Sequence, residues 1–408
     1  MRYRGVNVTE GFPMLSASRM IVGLFFGCIL WAHPAKADMG RPGHIFIIVL
    51  ENEGFHITFG QKSPASYLKT LAGQGALLPN YYGIGHYSLD NYIAMISGQA
   101  PNPVTQSDCQ VFSEFVQTGM AADGQAVGSG CVYPAGVPTL AGQLEAKGLT
   151  WKAYMEDMGN IPTREAATCG HPALGDRDGT QRAVKGDQYA TRHNPFMYFH
   201  SIIDSPGCAQ RVVNFNALAS DLRSLETTAN YVFITPDLCH DGHDGGENGR
   251  TCVDGEPGGL ISADKFLADA VPSILASPAF QRDGLLIITF DEADIDVKTD
   301  KATNKPVLDD GDVSSCCGEQ PGPNIGPGSM VFGNVPDQGP GVLGPGGGRI
   351  GAVLVSPLIK PGTVSATPYN HYALLRTIED AFGLDHLGFA GSSDLKPFGP
   401  DVFTNAAN

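Results

Sequence analysis

The stretch HIFIIVLEN, residues 44–52, decides how this chain folds. After His44 come six consecutive apolar residues with no polar alternation. A strand wetted on one face alternates apolar and polar side chains; one buried on both faces reads as a continuous apolar run. The stretch therefore predicts a central strand of a parallel sheet covered by helices on each side. It then stops abruptly in Glu51 and Asn52. In open α/β sheets, ligands collect at the carboxyl ends of the strands, so this polar pair is a candidate site and not only a turn.

Working outward, similar runs occur at 76–82, 150–155, 231–235 (YVFIT), 285–290 (LLIITF) and 350–355. Helical patterns lie between them at 63–72, 91–96, 139–147, 214–225, 262–276 and 371–382. Alternating strands and helices imply an α/β three-layer sandwich with a mostly parallel central sheet and right-handed crossovers. With 408 residues, 52 Gly and 29 Pro, the chain has the length for one large domain and many ordered loops. The Gly- and Pro-rich stretch 318–348 reads as a long surface loop, because an apolar strand and a helix follow it directly.

Residues 1–37 are set apart. Arg19 precedes the apolar run 20–32 (MIVGLFFGCILWA), and Ala35 and Ala37 place small residues before Asp38. That pattern is a secretory signal peptide, too short to span a membrane, leaving 38–408 as a single catalytic domain that is secreted or periplasmic. The whole chain carries a net charge of −16. Loss of Arg2, Arg4, Arg19 and Lys36 against Glu10 makes the mature chain more acidic still. Nucleic acid as a partner needs a basic footprint and is excluded on that ground; a small phosphorylated substrate is not, since a bound metal can dominate the local field. Eight cysteines remain after residue 37, an even number suited to an oxidising compartment. Short loops favour the pairs 109–131, 169–208 and 239–252, which leaves Cys316 beside Cys317.

Two further strands end as the first does. Residues 231–235 lead into Asp237, His240, Asp241, His243 and Asp244, and residues 285–290 into Asp291 and Glu292. Parallel strands bring all three clusters to one sheet edge. Any one cluster alone is more simply a turn or a helix cap; three beside a nucleophile point to a site. The nucleophile is Ser88 in GHYSLDNY (85–92), after a strand and ahead of a helix, where backbone N–H groups favour a bound phosphate. Its simpler role is that of an N-cap. Neither a G-x-S-x-G elbow nor the C/S-x-P-x-R context of a sulfatase is present.

The blocks VLENEGFHITFG (49–60), GHYSLDNYIAMISGQAPN (85–102), PDLCHDGHD (236–244), ITFDEAD (288–294) and YNHYALLRTIEDAFGL (369–384) together resemble the bacterial and fungal phosphoesterase family of acid phosphatases and phosphatidylcholine-type phospholipases C. The resemblance implies an alkaline-phosphatase-like fold and one divalent metal ion held by Glu51, Asn52, Asp291 and Glu292, with Ser88 as a further ligand. It implies a phosphoserine intermediate, with His243, His240 and His193 as candidates for leaving-group protonation and phosphate contact. A second metal on His240, His243 and Asp244 is the alternative. Aspartate is frequent in the family where Glu292 stands, and threonine is often the nucleophile in its phospholipases, so Ser88 favours a phosphomonoesterase. A phospholipase C acting on lipid headgroups is the competing activity. From another class, a secreted calcium-binding module could use the Asp- and Gly-rich stretch 237–254.

Overall fold

The computed structural model describes residues 40–246, 250–325, 331–335 and 339–405; the stretch read as a signal peptide lies outside them. An eight-stranded sheet forms the centre. In chain order its strands are β1 (His44–Leu50), β2 (Ala76–Leu78), β3 (Trp151–Met155), β4 (Val212–Asn214), β5 (Tyr231–Thr235), β6 (Gly284–Phe290), β7 (Ala352–Val355) and β8 (Thr363–Val364). They lie side by side in the order β8-β2-β7-β6-β1-β5-β3-β4. Only β7 runs antiparallel to its neighbours. All seven residues of β1 and all seven of β6 are buried, as their continuous apolar runs predict. Burying each large aliphatic side chain there contributes roughly 1.5–3 kcal/mol.

Four helices matter for the site: α1 (Ser66–Gln74), α2 (Ser88–Ser97), α3 (Gly259–Ala276) and α4 (His371–Phe382). One group packs α1 on α3, and the other packs α2 on α4. With β1 and β6 buried on both faces between such helices, the layering is helix, sheet, helix. Asp264 of α3 supplies the cap that α1 lacks, its carboxylate accepting from the Ser66 hydroxyl and from the N–H groups of Tyr67 and Leu68. In α4, the Asn370 side chain caps the Ala373 N–H, and Gly383 ends the helix in the left-handed conformation that glycine adopts without strain.

Register fixes the site. Leu50 pairs with Phe290 and Ile48 with Ile234, so Glu51, Asp291 and the loop after Thr235 emerge together at one edge of the sheet.

Four expectations are corrected. The run 76–82 is not one strand: Pro79 breaks it, and Tyr81–Tyr82 pairs instead with Tyr369–Asn370. The helix expected over 214–225 shrinks to Leu218–Asp221 after a short 3-10 turn, because Asn214 ends β4 and its side chain turns back to the Asn216 N–H. The helix expected from Asn91 begins at Ser88, so Ser88 is the first helical residue and not its N-cap. The stretch 318–348 contains a hairpin, Val331–Val335 with Gly339–Leu343. The four disulfides join Cys109–Cys131, Cys169–Cys208 and Cys239–Cys252, the pairs that short loops favour, and the remaining neighbours Cys316–Cys317. Among the described residues, no helix is long and apolar enough to cross a membrane.

Candidate active site

Ser88 enters the site from a contorted backbone. Tyr87, the residue before it, has φ 109° and ψ 132°, a region that only glycine visits freely and that costs another residue about 1–3 kcal/mol. The conformation is held on both sides. The Tyr87 N–H donates to both carboxylate oxygens of Glu292, at 2.9 and 3.0 Å. The Asn91 side chain, one turn into α2, accepts from the N–H groups of Ile84 and Gly85 and donates to the carbonyls of Gly85 and Tyr87. Asp108, reaching in from a distant loop, accepts from the Leu89 N–H at 3.1 Å and thereby places a carboxylate at the positive end of the helix.

The Ser88 hydroxyl donates to Glu51 Oε2 at 2.8 Å. The other oxygen of Glu51 lies 3.1 Å from His193 Nε2, and His193 Nδ1 lies 3.7 Å from Asp241 Oδ2. Glu51, His193 and Asp241 are all buried, and one ligand-capable atom from each lies within 4.8 Å of the others. Tyr92 stacks on the His193 ring, with centroids 5.3 Å apart and planes 10° apart. Asp291 accepts from the N–H of Asn52 at 3.0 Å and of Glu292 at 2.6 Å. Asn52 takes φ 46°, a left-handed conformation that asparagine tolerates better than most residues.

Three buried acids in one place distort each other's proton affinity. Burial, then the charges of Asp291 and Asp241, hold the Glu51 carboxyl well above its ordinary range. Burial pushes Asp291 up to about 6. Burial, helped by the neighbouring Arg192 and His243, keeps His193 well below its ordinary value. Burial thus favours the neutral imidazole, which has one nitrogen lone pair to offer. Glu51 Oε1, Asn52 Oδ1, Asp241 Oδ2, Asp291 Oδ2 and both His193 nitrogens are buried and, beyond the approaches of His193 to Glu51 and Asp241, make no well-formed hydrogen bond. Oxygen and imidazole donors left over in this way are costly and match what a hard or borderline divalent cation takes.

A cavity of about 260 Å³ opens over Ser88, bordered by Asn52, His86, Tyr87, Asp108, Arg192, His243 and Glu292. Burial opposes the charge on Arg192, but Asp108, Glu51 and Asp241 outweigh it and raise its proton affinity further. A fixed guanidinium thus faces the space above the serine. Arg192 and Asp108 were not legible in the sequence: Arg192 lies in a single 3-10 turn and Asp108 ends another, and the only signal was that Arg192 adjoins His193. Asp241 stood in a recognised cluster without a role.

Two expected residues are placed differently. His240 does not join Ser88. Its ring reaches Glu156 at 3.0 Å and Glu256 at 3.3 Å and stacks on Phe266. Gly242, with φ 112°, turns the chain so that only His243 borders the cavity, and a metal shared by His240, His243 and Asp244 is not among the metal-capable groupings of the described residues. Glu292 borders the cavity but is engaged by the Tyr87 N–H and by His86 Nδ1 at 2.7 Å, so it braces the serine loop. His371 lies behind the site, with Nε2 2.6 Å from the Asp291 carbonyl oxygen and Nδ1 3.0 Å from the Tyr81 hydroxyl.

One edge of the sheet thus gathers buried acids, a buried serine and an arginine. The phosphoesterase family model matches residues 61–385, and the chain belongs to that family. It is 28% identical over 228 residues to a phosphate-repressible acid phosphatase of Penicillium chrysogenum, covering 56% of this chain and 43% of that one. It is 24% identical over 344 residues to a probable acid phosphatase of Kluyveromyces lactis, covering 84% and 59%. The chain thus spans about half the length of these curated relatives. Among solved structures, a Vibrio parahaemolyticus protein of the alkaline phosphatase superfamily aligns over 89% of this chain and 72% of its own, at 12% identity and a TM-score of 0.48.

Proposed function

We propose that this chain is an exported phosphomonoesterase of acid-phosphatase type that transfers the phosphoryl group of a small substrate to Ser88 and then to water. The observation that carries the reading is the 2.8 Å hydrogen bond from the Ser88 hydroxyl to Glu51, under a cavity that also presents Arg192 and His243. Family membership and the acid phosphatase relatives support it, as do the disulfides for export.

The residues divide the work. Arg192 pairs with phosphate oxygens and orients the ester. The Ser88 proton passes to Glu51 Oε2 as Oγ forms its bond to phosphorus. The bond from phosphorus to the alcohol oxygen breaks in line, and that oxygen leaves with the electron pair and takes a proton from His243. Water then attacks the phosphoserine, its proton leaves through His243, Oγ regains its own from Glu51, and phosphate departs. A divalent cation held by Glu51, Asn52 and Asp291, with His193 and Asp241 at its side, would neutralise charge on the phosphate and lower the pKa of the Ser88 hydroxyl. The chain's own task there is to hold those donor atoms in place and keep His193 unprotonated.

The test is turnover of p-nitrophenyl phosphate by purified wild type and Ser88→Ala, with and without divalent ions, beside phosphatidylcholine. Wild type should cleave the monoester, and the variant should lose a thousandfold or more, an order-of-magnitude expectation for a nucleophile. Turnover surviving in Ser88→Ala would sink the mechanism; hydrolysis of the lipid alone would replace the monoesterase by a phospholipase.

A further inference from the structure

Beside the cavity over Ser88 lies a second one of about 320 Å³. The two share Asn52 and His243, and Ser88 borders only the first. An in-line displacement at phosphorus needs the leaving oxygen on the side opposite the attacking one. With phosphate over Ser88, the ester oxygen points away from the serine, and the cavity that adjoins through Asn52 and His243 is open to what that oxygen carries.

The second cavity has a mixed lining, in which Glu53, Asp244, Arg250 and Asp294 stand beside apolar side chains. Ile57 and Ile261 border it with 52% and 53% of their surface exposed, apolar area open to the hydrocarbon part of a ligand. Leu260 and Pro64 add further apolar surface. Its other part is bare backbone: Gly245 and Gly258 form an antiparallel bridge, both at positive φ. A Cβ on Gly258 would sit 2.1 Å from the Asp244 carbonyl oxygen, so the bridge needs glycine at that position. Glycines and isoleucines together border the slot.

We infer that this slot is a leaving-group subsite that selects phosphomonoesters of alkyl or aryl alcohols, with Ile57 and Ile261 as specificity-determining residues. The inference rests on Ser88 being the nucleophile. His243 stands at the junction, between the phosphate and the departing alcohol, where a proton is needed as the bond from phosphorus to the alcohol oxygen breaks.

A series of linear monoalkyl phosphates from ethyl to hexyl tests it, because leaving-group basicity barely changes along the series while buried area grows. For wild type, kcat/KM should rise about threefold to fourfold per methylene. The double variant Ile57→Ser/Ile261→Ser should flatten that rise. Inhibition by inorganic phosphate, which occupies only the first cavity, should stay as in wild type and shows that the variant is folded. A flat wild-type profile with good turnover overturns the subsite alone, as does a double variant with the wild-type slope. Failure to turn over any member of the series overturns the reading of Ser88, and the subsite with it.

Discussion

Replacing Glu51 by Gln separates what the buried acids do for function from what they do to stability. Glu51, Asp241 and Asp291 are all at 0% exposure, and Arg192 is the fixed cation near them. Gln keeps the shape and deletes one negative charge. In the presence of chelator, the variant should be more stable than wild type by about 1–2 kcal/mol at neutral pH. The sign follows from the raised proton affinity of Glu51. A carboxyl whose folded pKa is raised weakens the fold as pH climbs from the ordinary glutamate range through the folded value. The variant's advantage should thus vanish near pH 4 and grow above it. Added divalent ion reverses the order. A hundredfold excess over Kd stabilises wild type by about 2.7 kcal/mol. For the unit formed by residues 37–408, that corresponds to roughly 3–4 °C in Tm. The variant, lacking a central donor, should move by less than about 1 °C on the same conversion. Scanning calorimetry across Mg²⁺, Mn²⁺, Ca²⁺ and Zn²⁺ titrations, with chelator as baseline, reads all of this. No ion shifting the wild-type Tm, or equal shifts in both proteins, would refute the assignment of these atoms to a cation.

Three other perturbations probe separate parts of the molecule. Arg192→Gln should lower kcat/KM on p-nitrophenyl phosphate about a hundredfold and weaken inorganic phosphate inhibition in parallel; unchanged inhibition would remove Arg192 from the phosphate site. His240 is pushed up to about 10, its hydrogen bond and charge contact with Glu156, aided by Asp237 and Glu256, outweighing burial. The stability it lends is full below about pH 6.5 and disappears as pH rises through 10, so His240→Asn should cost about 2 kcal/mol at pH 6, after allowance for solvent screening, and almost nothing above pH 10. Urea melts at those two pH values check it, and a pH-independent difference would contradict the ion-pair account. Replacing Cys169 and Cys208, 39 residues apart, with Ala should cost about 4 kcal/mol through the freed denatured chain, measurable as a lower urea midpoint.

Much of the fold could be read directly, and the reason is burial. Strands such as β1, β5 and β6 are covered on both faces, so their residues are apolar without interruption. The same parallel arrangement made the polar residues after each strand stand out as a group. The hairpin Ile295–Asp300 with Lys305–Gly311 escaped notice because its partly exposed strands carry charged residues and no apolar run. Asp108 and Arg192 escaped for a different reason. Neither sits on a strand end, and what brings Asp108 to the helix is a turn anchored by the Cys109–Cys131 bridge, which no local pattern announces. His240 and His243 lie three residues apart, and the positive φ of Gly242 between them goes with only His243 bordering the cavity.

The last paired row of β1 and β6 is Leu50 with Phe290, and Glu51 and Asp291 occupy the next row. Their spacing is the repeat of the sheet itself, about 4.8 Å, and belongs to no loop. Chain inserted beyond Asn52 or beyond Glu292 can roof the pocket, narrow it or open it without moving the two acids apart. A lineage with this frame can therefore lengthen its loops and acquire new substrates while its chemical centre stays where the strands put it.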